Sequence, residues 1–115
     1  MLKPVPLHSL AGKEFVPQAV IDYPMSFFEE KLRMPAVHEQ DDLDEYEAIA
    51  LIIDDGGVLV ELKHYAGYPE NTTTIYLSDF INNVAQISDT IGIVAGELEI
   101  PRERIVWQRS DNPDF

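Results

Sequence analysis

The chain has 115 residues, no cysteine, and 21 Asp and Glu against eight Lys and Arg, for a formal net charge of −13. The missing thiols exclude disulfides, thiolate nucleophiles and sulfur-ligated zinc. A charge of this sign opposes direct nucleic-acid binding, which requires basic side chains to displace counterions from phosphate, and it repels anionic lipid.

A hydrophobic fraction of 45%, with five Phe, five Tyr and one Trp, supplies core material for one domain spanning 1–115. A disordered acidic tail would be poor in such residues. The N-terminal segment lacks the apolar stretch of a signal peptide, and the longest apolar run, Ala48 to Ile53, falls far short of a membrane span. A cytoplasmic protein without membrane insertion is therefore expected.

Residues 1–13 are interrupted by Pro4 and Pro6 and read as an arm laid over the domain. Phe15 to Ile21 can add an edge strand, with Pro17 limiting its hydrogen bonds. Ser26 followed three residues later by Glu29 has capping-box spacing, so a short helix is expected from there to about Arg33, stopped by Pro35. The stretch Glu39 to Glu47 is dense in like charge and reads as a solvated loop. Next come a strand over Ala48 to Ile53, a turn at Asp54 to Gly57, and a returning strand over Val58 to Tyr65. In that strand Val58, Val60 and Leu62 share one face, while Glu61, Lys63 and Tyr65 share the other. Lys63 beside Glu61 suggests that the second face is exposed.

Thr72 to Leu77 is rich in β-branched residues and reads as a further strand. A long helix is expected from a cap at Ser78 or Asp79 to about Glu97, with an apolar stripe of Phe80, Val84, Ile87, Ile91, Val94 and Leu98. Gly92 and Gly96 would let it approach a strand closely. Ile105 to Arg109 reads as a last strand, and 110–115 as a frayed tail. The fold class expected is α+β: an antiparallel meander of about four strands, one long helix in the C-terminal half packed on one face, and a short N-terminal helix.

No pattern specifies catalysis. His38-Glu39-Gln40-Asp41-Asp42 starts like a zinc-protease motif but has Asp where the second His is required. No frame through the acidic stretch puts Gly and Glu where a calcium loop needs them. Neither a nucleophile elbow nor a phosphate-binding glycine loop occurs. His64 beside Tyr65 could serve as a general base, but a strand-end histidine packed at a sheet edge is the favoured reading. No metal and no cofactor are expected.

The surface offers more. No Lys or Arg lies between Arg33 and Lys63, while nine carboxylates fall from Glu39 to Glu61. Asp41, Asp42, Asp44, Glu45 and Glu47 form a candidate acidic binding face, with Tyr46, Tyr65 and Tyr68 as aromatic anchors beside it. The composition points to a non-catalytic interaction protein, of inhibitor, immunity or regulatory type, that engages a basic protein partner. The rival reading is a small enzyme or ligand sensor with a pocket between the long helix and the sheet. An exposed strand edge would allow homo-oligomerisation with either.

Overall fold

The computed structural model describes residues 2–54 and 56–109. Asp55 of the expected turn and the tail 110–115 lie outside the described residues. The class is α+β, but the sheet has seven antiparallel strands in place of a meander of about four. They are β1 (Leu2–Val5), β2 (Phe15–Ile21), β3 (Val37–Gln40), β4 (Glu45–Ile53), β5 (Val58–Tyr65), β6 (Thr73–Ser78) and β7 (Ile105–Gln108). The helices are α1 (Met25–Leu32) and α2 (Val84–Glu97). The strands run β1-β4-β5-β6-β2-β7, and β3 also lies against β4.

Two of the seven, β1 and β3, lie where no strand was expected, in segments with weak sequence signals. β1 and β3 divide the outer edge of β4 between them: β1 pairs with Ala50 to Ile53 and β3 with Glu45 to Ala48. The acidic stretch is thus a strand and a tight turn, not a loop. Asp41 makes the turn, its Oδ1 accepting from the Leu43 and Asp44 N–H groups at 2.8 and 3.1 Å, as short polar side chains do in Asx turns. β2 is an interior strand, between β6 and β7. Pro17 is tolerated there because β7 runs alongside only from Ala19 onward and the β2–β6 ladder is bulged between Pro17 and Ala19. Gln18, inside that bulge, is buried, and its Oε1 has no hydrogen-bond partner among the described residues.

The expected hairpin is present, with Ile53 opposite Val58 and Tyr46 opposite Tyr65. Gly56 and Gly57 close it at φ +100° and +69°, a region that side chains with a Cβ rarely enter.

The capping box at Ser26 does not form. α1 begins a residue earlier, after Pro24, with no side-chain cap, and Glu29 Oε2 instead accepts from the Ala36 N–H beyond the helix at 2.8 Å. α2 starts later than expected because Asp79 is still held beside the segment entering β2, its N–H donating to the Glu14 carbonyl at 3.1 Å. Asn83 is the cap, its side chain accepting from the Gln86 N–H at 2.9 Å. Phe80 therefore lies outside the helix and is 80% exposed, although Ile87, Ile91, Val94 and Leu98 of the stripe are buried. They meet Ile49, Leu51, Val60, Leu62, Ile75 and Leu77 in one core, which Met25 and Phe28 of α1 complete.

Gly92 and Gly96 do not touch a strand. Both are exposed, and a Cβ on either would meet nothing within 4 Å. They cost helix propensity without serving packing, so Gly92→Ala and Gly96→Ala should each stabilise the fold by about 0.5–1 kcal/mol in urea unfolding.

Candidate functional site

Both helices pack on one face of the sheet, and the chemistry collects on the other. Strand alternation sends Tyr46, Ala48 and Ala50 of β4 to that second face, together with Glu61, Lys63 and Tyr65 of β5 and Tyr76 of β6. A 3-10 turn, Leu7–Leu10, packs against β4 and forms one rim. Between them lies an open groove of about 520 Å3, lined among others by Leu10, Phe15, Tyr46, Lys63, Tyr65 and Tyr76.

At the centre of the groove is the expected exposed pair, and it is not exposed. Glu61 is only 6% accessible and Lys63 is largely enclosed. The Lys63 ammonium stands 3.5 Å from Glu61 Oε2 and 4.6, 5.1 and 4.9 Å from the ring centroids of Tyr46, Tyr65 and Tyr76. Three aromatic faces and a carboxylate thus surround one cation, where loss of water strengthens each attraction. Burial pushes the Glu61 carboxyl up, and Lys63 pulls it part of the way back.

The network continues outward. Lys63 Nζ donates to the Tyr65 hydroxyl at 3.4 Å, and that hydroxyl donates to Asp41 Oδ2 at 2.6 Å. Asp41 is therefore exposed, as expected from its sequence context, but not unpaired. The Tyr65 bond, then the turn's N–H groups, hold its carboxyl below the usual range. Burial raises the Tyr65 phenol, and the Asp41 bond raises it further; burial and then Tyr68 raise Tyr76. Burial, followed by the charges of Glu61, Asp41 and Glu39, raises Tyr46. All three phenols stay protonated at neutral pH, so none is a ready base or nucleophile.

The three expected anchors do come together. Tyr46 and Tyr65 meet edge to face with centroids 5.4 Å apart, and Tyr68 lies 5.3 Å from Tyr65. Their roles differ: Tyr65 is buried and serves the network, Tyr46 is half-buried beside Lys63, and Tyr68 is exposed. The acidic set divides as well. Asp42 and Glu45 are exposed, and Asp44 is half-buried with its Oδ1 accepting from the Glu45 N–H at 2.8 Å. Glu47 belongs to the helix-bearing face, in a cross-strand row with His38 and His64. Among the described residues no group of three or more His, Asp or Glu is placed to hold a metal ion. Sequence reasoning missed Glu61, Lys63 and Tyr76, although the alternation of β5 already put the first two on the face of Tyr65.

Under α2 the sheet is filled by core side chains. An open groove of about 480 Å3 does run between α2 and β7, lined by Ile91, Gly92, Ala95, Ile105, Arg102 and Arg109 among others, and among the described residues no carboxylate, histidine or tyrosine lines it. No helix of the described residues is long and apolar enough to cross a membrane. No protein-family model, curated protein or solved structure matches this chain, so the chemistry of its second face has to be read from its own residues.

Proposed function

We propose that this chain is a non-catalytic binding protein whose acidic, tyrosine-bearing sheet face takes a basic segment of a partner protein. The observation that carries the reading is the Tyr65–Asp41 bond, which ties the acidic turn to the tyrosine cluster and makes one continuous surface of charge and rings. The polar groups inside the cluster are occupied by one another: Lys63 with Glu61 and Tyr65, Tyr65 with Asp41. What is left for a partner is the Tyr68 ring and the carboxylates of Asp42, Asp44 and Glu45. Carboxylates on a rim speed encounter with a basic surface, and aromatic side chains then hold the complex. Within the tyrosine cluster catalysis has less support, because its phenols are neutral and the Glu61 carboxylate is paired with Lys63.

An arginine-rich peptide titrated into isotope-labelled protein tests this reading. Amide shifts should concentrate at 41–47 and 65–68, and Tyr68→Ala should weaken binding about tenfold, the effect of losing one central aromatic contact. Tyr46→Ala is a poorer choice because that ring also carries Lys63. Shifts spread evenly over all surface carboxylates, unaffected by Tyr68→Ala, would reduce the acidity to a solubility device.

A further inference from the structure

We propose that copies of this chain associate head to tail, the β7 edge of one pairing with the β3 edge of the next to extend the sheet. This uses the backbone edges of the sheet and not the tyrosine face, so it goes beyond the partner reading and does not depend on it, although both draw on the charge of the acidic turn. Among the described residues β7 pairs only with β2, and β3 only with β4, so each presents an unpaired edge at opposite sides of one sheet. Each strand has four residues. β7 exposes apolar side chains there, with Val106 58% and Trp107 44% accessible, and β3 exposes Val37. The remaining outer strand, β1, contains Pro4, which has no N–H to offer a neighbour.

Charge selects which edges meet. Three of the chain's eight Lys and Arg, namely Arg102, Arg104 and Arg109, flank β7. Arg104 is engaged by Asp22 at 3.2 Å, and the Arg109 guanidinium lies 5.9 Å from the Trp107 ring. β3 carries Glu39 and leads directly into Asp41, Asp42 and Asp44. Pairing β7 with β7 would set arginines against each other, and pairing β3 with β3 would oppose carboxylates. The crossed arrangement instead brings the arginine-rich edge, which also carries Glu103, against the carboxylate-rich one. Such a contact is heterologous, so it builds a ring where the rotation between copies closes and an open chain where it does not. With four residues a side, association is weak and depends on concentration.

Sedimentation velocity at an ionic strength of about 0.1 M tests the proposal, because a Debye length of about 10 Å then screens the net charge of two copies but not a contact pair. The wild-type sedimentation coefficient should rise with concentration, with a blue shift in the emission of Trp107, the only tryptophan. Val37→Lys with Glu39→Lys, and separately Arg102→Glu with Arg109→Glu, should each weaken self-association about tenfold, and an equimolar mixture of the two variants should regain it. Should either pair disturb its strand by circular dichroism, the single Glu39→Lys and Arg109→Glu substitutions give the same readings. A wild type that stays monomeric overturns the proposal, as does a variant that self-associates alone or a mixture that gains nothing.

Discussion

Ile91→Asp should destabilise the fold by about 5 kcal/mol or more, enough to unfold many domains of this size. Ile91 is 1% exposed, in the row of α2 that meets the sheet. The substitution removes about 2–3 kcal/mol of apolar burial and places a carboxylate where no partner waits, a further cost of several kcal/mol. Ile93, two residues on, is 44% exposed, and Ile93→Asp should change stability by only about 0.5 kcal/mol. Urea unfolding of the two variants compares them directly. Equal stabilities would mean that α2 does not present this face to the core.

Lys63→Met should cost about 3–5 kcal/mol at neutral pH, because it leaves the Glu61 carboxylate buried without its counter-charge. Replacing both partners, as Glu61→Leu with Lys63→Met, should cost much less than the single change, since an apolar pair of similar size carries no desolvation penalty. The pH dependence has a definite sign. Burial already raises the folded-state pKa of Glu61 above its unfolded value. A group shifted that way is harmless below its unfolded pKa and destabilises increasingly as pH rises through the folded one. Without Lys63 that penalty is undiminished, so the deficit of Lys63→Met relative to wild type should shrink as pH falls from 7 towards the carboxylate range. A deficit that is constant with pH, or equal in the single and double variants, would show that Glu61 is not a buried charge held by Lys63.

How much of this was legible in the sequence depends on how far each contact reaches. The β4–β5 hairpin was readable because its turn and both strands are contiguous, and its register alone places Tyr46 opposite Tyr65. Tyr76 was not readable, because the loop between β5 and β6 leaves their register open until the strands pair. β3 has four exposed positions and no hydrophobic period, so nothing local marks it as a strand. Only the Asx turn at Asp41 and the free edge of β4 create it. The same turn brings Asp41 to a tyrosine 24 residues away, which no local pattern encodes. The late start of α2 followed from a tertiary hydrogen bond to Glu14, against which the helix propensity of the preceding residues could not compete.

Steering of a basic segment onto the tyrosine face by the acidic turn is measured most directly by the rate of association. Asp41 is unsuited to the test, since its carboxylate builds the turn. Asp42→Asn and Glu45→Gln remove exposed charge from the same surface and leave the fold intact. In stopped-flow mixing with the arginine-rich peptide, the wild-type association rate should fall steeply as salt rises. The paired amide substitution should slow association several-fold at low salt, with little change in dissociation. Tyr68→Ala should do the reverse and speed dissociation. An association rate indifferent to both salt and the two amides would contradict the steering role of this face.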